Sequence, residues 1–353
     1  MHQIFLGLIS AMLAVSTPQV TTNSAPPVPK DADELASTNS PGELELEKIM
    51  TDDDAAMDEI DKWIQENNKF AKEGAGESKD ELNQRILARL QTVRTNYEDF
   101  LTRYPTNADA YIAFGSFLND IGNEEGAFTQ YDKSRQLNPN NPAVWNDLGN
   151  YYGEYSPITN AFTCYTKAIE LNPKESVYYQ NFATTVYLYR KDAKEFYHIN
   201  EAQVFDKALA LYQKAVALDP DNFELSEFYS ESYYGIKPLR TNDALVAWTN
   251  TLKVARNEYE REGINIHLAR TKIAAGMFAE AQGHLDLVTN SDYAEMKRRL
   301  EKMMANRKNG MRSSFDDIPT NQPAESANFS ASAPGTAHDA TNGVPVPSKP
   351  NAP

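Results

Sequence analysis

The 353-residue sequence contains a single cysteine, Cys164. A lone thiol excludes an internal disulfide framework and a cysteine-based zinc cluster, so stability has to come from helix packing. Histidine is also scarce: His2, His198, His267, His284 and His338 are scattered, with none in a metal-ligand pair and none beside a nucleophile motif. No glycine-rich loop suited to cradling phosphate is present. These absences point away from an enzyme and imply no cofactor and no metal. Basic residues are in deficit, with 34 Lys and Arg against 50 Asp and Glu, a net charge of -16. Such a balance disfavours a footprint on nucleic acid or on an anionic membrane. Long hydrophobic runs are missing too. The apolar stretch Ile4 to Val15 is twelve residues, too short to cross a bilayer, and no integral membrane span is expected.

That short run has the length of a secretory signal core, with the small residues Ala14 and Ser16 at the spacing a signal peptidase uses, although His2 and Gln3 stand where basic residues are usual. Residues 1–16 are accordingly read as a signal peptide and the protein as exported, periplasmic or secreted; otherwise the run is an apolar tail on a cytoplasmic protein. Residues 17–43, rich in Thr, Ser, Pro and acids, read as a flexible acidic linker. Between positions 31 and 60 there are eleven Asp or Glu and one Lys, so much of the net negative charge is local. Acid runs of this kind are usually solvated faces, the other reading being a surface for basic partners. Thr51 before Asp52, Asp53 and Asp54 looks like an N-cap and first turn, opening an acidic helical segment within 44–77 on which Met57, Ile60, Trp63 and Ile64 share one face.

Ser78 and Glu81 form a capping-box pattern. It opens a long leading helix, 78–104, with Leu82, Ile86, Leu90, Val93, Tyr97 and Phe100 at helical spacing. At the other end, 23 of the 45 residues from 309 to 353 are Pro, Gly, Ala or Ser, a composition that cannot bury a core and predicts a disordered tail.

Periodicity is the dominant signal between these ends. Pro105, Pro139 and Pro173 are 34 residues apart, and Pro220 follows after one further period plus a 13-residue insertion. Tyr111, Phe114, Gly115, Gly122, Ala127, Tyr131 and Pro139 in one period are echoed by Trp145, Leu148, Gly149, Tyr152, Ala161, Tyr165, Ala168 and Pro173 in the next. A third unit begins near Ser176 with Tyr179, Phe182 and Ala183 and resumes with Ala208, Tyr212, Ala215 and Pro220. A looser fourth runs through Tyr229, Tyr233, Ala244 and Trp248, and a fifth through Leu268, Ala269, Gly276, Ala281 and Leu285, with Lys272 where an aromatic would be usual. Small residues suit the closest approach of two helices, aromatics fill the space between units, and a proline stops each second helix. Trp145, Trp248 and Cys164 are read as core.

This pattern resembles the tetratricopeptide repeat (TPR) family, as a bacterial-type exported member. The resemblance spans roughly residues 105–290, and a capping helix near 292–307 would close a repeat domain of 105–308. It implies an all-α fold, a right-handed superhelix or α-solenoid of about four to five helix pairs with flexible termini. It also implies a non-catalytic interaction scaffold or adaptor that holds a protein or peptide in a concave groove lined by first helices. In family register the groove would display Ser116, Asn119, Asn146, Asn150, Glu154, Gln180, Asn181, Thr184, Tyr187, Glu227, Glu231, Tyr234 and Arg270. Amides can pair with a peptide backbone, and flat rings add contact area at low entropy cost. Ile112, Val177 and Asn181 stand where the basic residues of the family's chaperone-tail clamp would be wanted, which argues against that ligand.

The insertion, Tyr187 to Val204, falls between the two helices of the third unit, and Asn200 with Gln203 suggests a capped restart. A smaller extension, Ile236 to Arg240, occupies the equivalent turn of the fourth. Equivalent turns of a solenoid align along one edge, so Arg190, Lys191, Lys194, Tyr197, His198, Lys237 and Arg240 are expected to meet there. That edge is a second candidate contact surface. The alternatives are a small-molecule-binding or enzymatic role at 187–204, which would need a closed pocket around Tyr197, His198 and Arg240, and structural self-assembly through end helices.

Overall fold

The computed structural model describes residues 41–72, 74–155 and 157–310. The expected signal peptide, residues 17–40 of the expected linker and residues 311–353 of the expected tail lie outside the described residues. Those described form fourteen α-helices and two short 3-10 turns at Ser232–Gly235 and Ser291–Tyr293. The helices are α1 (Pro41–Lys72), α2 (Lys79–Arg103), α3 (Ala108–Asp120), α4 (Glu124–Leu137), α5 (Pro142–Tyr155), α6 (Ile158–Leu171) and α7 (Ser176–Leu188). They continue as α8 (Arg190–Tyr197), α9 (Glu201–Leu218), α10 (Phe223–Glu231), α11 (Thr241–Val254), α12 (Glu258–Ala274), α13 (Phe278–Asp286) and α14 (Ala294–Lys308). Packing is pairwise and sequential: α1 on α2, α3 on α4, α5 on α6, α7 on α9, α10 on α11 and α12 on α13, with α14 against α12 and α13. First helices of the early pairs also touch, α1 with α3, α3 with α5, and α5 with α7. The architecture is an α-solenoid of stacked helix pairs. The leading helix expected at 78–104 is α2, and it does not stand alone, because α1 packs on it to complete a pair.

Local chemistry explains where the helices start. Ser78 and Glu81 exchange both bonds of a capping box, and Asn200 with Gln203 does the same at α9. Asn107, Asn123, Asn222 and Asn257 each accept a hydrogen bond from a backbone N–H in the first turn of the following helix, satisfying a donor the helix cannot. Gly122 sits at φ 72° in the tight turn between α3 and α4, a left-handed conformation that favours glycine.

The 34-residue period reappears as hydrogen bonds. The hydroxyl of Tyr111 donates to Pro105 O at 3.3 Å, the indole of Trp145 to Pro139 O at 2.8 Å, and the hydroxyl of Tyr179 to Pro173 O at 3.2 Å. Each first helix is thereby tied back to the turn that precedes it. Within pairs, the second-helix tyrosine lies against the small residue of the first helix. A Cβ placed on Gly115 would come 2.6 Å from the Tyr131 ring, and one on Gly149 would come 2.6 Å from the Tyr165 ring. In the pair of α7 and α9, Ala183 and Tyr212 occupy the same cluster. Where the pair of α12 and α13 lacks the expected aromatic, Lys272 instead forms a 2.7 Å ion pair with Glu280 of α13.

The amino-terminal acids depart from the solvated face expected of them. Thr51 is not an N-cap: α1 begins ten residues earlier, at Pro41, and the Thr51 hydroxyl donates back to Glu47 O. Arg89 of α2, with a largely buried side chain, donates to both carboxylate oxygens of Asp52 at 2.7 and 3.2 Å and to Glu59 at 2.9 Å. Arg103 pairs with Glu45, and the Tyr97 hydroxyl donates to Asp53 at 2.9 Å. Four of the eight acids between 41 and 60 therefore staple α1 to α2. They looked solvated because their partners lie about a helix length further along the chain.

Substitution of Gly149 by Ala forces the Tyr165 ring out of place and should destabilise by about 1–3 kcal/mol, as overpacking does. Gly283→Ala on α13 meets nothing within 4 Å. It should instead stabilise by about 0.5–1 kcal/mol through the entropy of the unfolded chain. Thermal unfolding followed by circular dichroism should move in opposite directions for the two variants.

Candidate interaction surface

The face made by the first helices contains most of the residues expected in the groove, in two different states. Several are committed to the scaffold. Asn150 accepts the Tyr165 hydroxyl at 2.8 Å, Thr184 bonds the Tyr212 hydroxyl at 2.8 Å, and Ser116 accepts from Tyr131 at 3.3 Å. Asn146 is buried, donates to Asp147 at 3.1 Å and accepts from Asn181 at 3.0 Å. These groups join one helix to the next. Asn119 and Gln180 are half-buried on the same face, and the Asn119 carbonyl oxygen, though buried, has no hydrogen-bond partner.

Carboxylates supply the second state. Asp53 and Asp54 of α1, Asp120 of α3, and Asp147 and Glu154 of α5 lie close enough to raise one another's pKa values. Desolvation is the first cause for Asp120, which rises to about 6, with Glu154 and Asp54 adding repulsion. Asp147 rises to about 7 through desolvation, opposed by the Asn146 amide and assisted by Asp120. Asp53 also rises to about 7 through desolvation, opposed by Tyr97. Asp54 and Asp61 are raised by desolvation and then by Asp58 between them, and Glu154 by desolvation and then, among charges, by Glu124. Among the described residues no Lys or Arg forms an ion pair with any of these six. The sequence did carry a clue: Asp120 and Glu154 are one 34-residue period apart, at the same repeat position.

A second acidic station stands on α10. Burial and then Glu231 push Glu227 up to about 7, while Glu231 is itself raised by burial and opposed by Arg270. The Arg270 guanidinium lies over the Tyr234 ring at 4.3 Å. Behind it the Tyr234 hydroxyl bonds His267 Nδ1 at 2.9 Å, and His267 stacks on buried Trp248 at 4.3 Å. Burial, and next Arg270, push His267 down to about 3, so its ring stays neutral. Tyr234 is thus held within a stack, and Arg270 is its exposed end.

The two insertions do meet, over the start of α9. Tyr187 packs on Phe205 at 5.8 Å, and its hydroxyl is hydrogen-bonded to the backbone of Gly235. Arg190 lies over both rings at 5.4 Å and pairs with Glu201 at 3.9 Å, and Arg240 pairs with Asp206 at 2.6 Å. Tyr187 is therefore a scaffold residue of the insertion junction. Tyr197 turns inward onto Phe162 at 5.6 Å, whereas Lys191, Lys194, His198 and Lys237 are exposed. Neither of the two best-formed cavities is lined by Tyr197, His198 or Arg240. One of them, about 180 Å³, is lined by Tyr152, Gly153, Glu154, Ile158, Tyr189 and Asp192. Among the same residues no cluster of His, Cys, Asp and Glu is arranged to hold a metal ion, and no helix is long and apolar enough to cross a membrane.

No protein-family model and no curated protein matches the chain. Solved structures do resemble it. YrrB, described as a TPR protein with an unusual peptide-binding site, is 15% identical with a TM-score of 0.44, over 58% of this chain and 97% of that one. MamA is 20% identical with a TM-score of 0.38, over 49% and 92%. PilW, described as a widely conserved type IV pilus biogenesis factor, is 13% identical with a TM-score of 0.45, over 61% and 91%.

The carboxylate row has a pH signature. Each raised group holds its proton more tightly folded than unfolded, so stability falls as pH rises from the unfolded carboxylate value, about 4, through the folded values and then levels off. With Asp147 raised to about 7 and Asp120 to about 6, that loss should be complete by about pH 8. Asp120→Asn combined with Asp147→Asn should raise the melting temperature at pH 8 more than at pH 5, as measured by thermal denaturation at both values.

Proposed function

We propose that this chain is a non-catalytic protein-interaction scaffold whose first-helix face receives an extended, basic polypeptide segment. One observation carries the reading: Asp53, Asp54, Asp61, Asp120, Asp147 and Glu154 crowd together across α1, α3 and α5 while the chain's own cations pair elsewhere. Carboxylates whose charged forms are disfavoured by burial and by each other gain most when a cation arrives, because it relieves both penalties at once. A Lys or Arg side chain would be attracted electrostatically, and half-buried Gln180 and Asn119 could pair with the backbone beside it. Glu227 and Glu231 continue the acidic character, and Arg270 would orient an acidic or carbonyl group further along. The insertion edge at Lys191, Lys194 and Lys237 is a second contact surface of opposite sign.

A catalytic role finds no support in the scattered histidines, in the deeply buried Cys164 whose thiol is pushed up to about 11 by burial, or in the placement of the cavities. Export rests on the apolar run at 4–15, and it would place the scaffold among periplasmic or secreted partners.

The geometry also changes which substitutions test the groove. Asn150, Asn181 and Tyr187 hold the scaffold, so removing them would confuse unfolding with loss of binding. Asp54, Asp120 and Glu154 hold no second-helix group in place. A fluorescently labelled Lys/Arg-rich peptide should bind the full chain with salt-sensitive affinity, and Asp54→Asn, Asp120→Asn and Glu154→Gln together should weaken it by about tenfold, near 1.4 kcal/mol. Fluorescence anisotropy measures both. Equal affinity for an uncharged peptide, or no loss in the triple variant, would remove the reading.

A further inference from the structure

We propose that a basic segment this acidic surface receives is α14 of a second copy of the same chain, docked head to tail. The inference rests on the acidic surface being a binding face, and it names one occupant for it.

The two ends of the solenoid are opposite in charge. Helix α1 carries ten Asp and Glu against four Lys, whereas α14 carries six Lys and Arg against two Glu. Two of those six cations bond backbone carbonyls of their own chain: Lys297 donates to Val288 O at 3.0 Å, and Arg307 donates to Ala274 O at 3.1 Å. The others face solvent. Arg298, Arg299 and Lys302 share one helical face, and the side chains of Arg298 and Arg299 are 66% and 61% exposed. Glu295 is bonded by both guanidiniums, so one carboxylate stands against two cations and the face keeps a net positive charge. Lys308 adds a further exposed cation at the end of the helix. Facing this pattern, α1 exposes Asp54 and Asp58 one turn apart, continuous with Asp61 and with Asp120 of α3.

These helices do not neutralise each other inside one molecule. In the fold α1 packs on α2 and α3, while α14 packs on α12, α13 and the Ser291–Tyr293 turn, with the intervening pairs stacked between them. Complementarity between the ends is therefore available only between copies. The net charge of -16 opposes association at long range. At physiological ionic strength, however, charges beyond about 8 Å are screened, so the facing ends decide the contact. Because the acidic end of one copy meets the basic end of the next, the contact is heterologous. Each addition leaves one acidic and one basic end open, which predicts chains of growing length.

Light scattering on the full chain tests this. At about 0.1 M salt the average mass should rise with protein concentration, and at about 1 M salt it should fall to that of one chain. Two charge-reversed variants sharpen the result: Asp54→Lys with Asp58→Lys on α1, and Arg298→Glu with Arg299→Glu and Lys302→Glu on α14. Each alone should weaken self-association by at least about tenfold. An equimolar mixture should recover it, since reversed α1 then meets reversed α14 and unaltered α14 meets unaltered α1. If circular dichroism shows a reversed variant to be unfolded, Asp→Asn and Arg→Gln versions at the same positions take its place, with the same loss expected. Single-chain mass at every concentration overturns the proposal, as does growth in mass that both variants leave unchanged. If self-association is absent while the labelled basic peptide still binds, the acidic surface stands and only this occupant is wrong; if neither occurs, both readings fall.

Discussion

Everything in the repeat follows from how closely two helices can approach. At Gly115 and Gly149 the backbone of the first helix lies so near a tyrosine ring of the second that one methyl group would not fit. That contact sets the distance within the pair, and it places the tyrosine hydroxyl over the residue that follows on the first helix, Ser116 or Asn150. A tyrosine buried there needs a partner for its hydroxyl, which is why polar groups stand beside glycine. In α3, α5 and α7 a second periodic bond, from an aromatic of the first helix to the carbonyl of the preceding turn's proline, fixes each helix against that turn. Together the two contacts repeat one geometry every 34 residues and make a continuous face of the first helices.

A face built this way has two classes of polar residue. Those aimed at the second helix or at the next unit are structural, whatever their chemistry suggests, and Asn146, Asn150, Asn181 and Thr184 belong there. Those turned away from every partner are available. Asp54 and Asp120 are in the second class, whereas Asp53 receives the Tyr97 hydroxyl, Asp147 receives the Asn146 amide, and Glu154 is hydrogen-bonded by Asn119 and Tyr155. Their raised pKa values report an unfavourable arrangement that the fold tolerates, the kind of local cost that recognition surfaces carry.

The charge of the molecule is organised in the same spirit. Asp52, Glu59 and Glu45 are matched by Arg89 and Arg103 and bind α1 to α2, so acidity at the amino end is part structural and part exposed. At the carboxyl end the cations of α14 are divided likewise between carbonyl acceptors and solvent. Between the ends, Arg190 and Arg240 lock two insertions onto α9, which makes that edge a joint in the scaffold with lysines on its outer side.

Period and residue type were enough to establish the helix pairs, the close-contact small residues, the capped restart at Asn200 and the meeting of the two insertions, because each depends on spacing along the chain. Side-chain partnership depends on distance through space, and there the sequence alone misled. Thr51 resembled a cap because Asp52, Asp53 and Asp54 follow it, yet α1 runs through it from Pro41. Asn150 and Tyr187 resembled ligand-binding groups because their register faces the groove, yet Tyr165 and Gly235 already hold them. Asp120 and Asp147 went unnoticed because isolated acids on separate helices carry no local pattern. Only the packing of α1, α3 and α5 side by side brings them near enough to repel, and that proximity is a property of the tertiary structure.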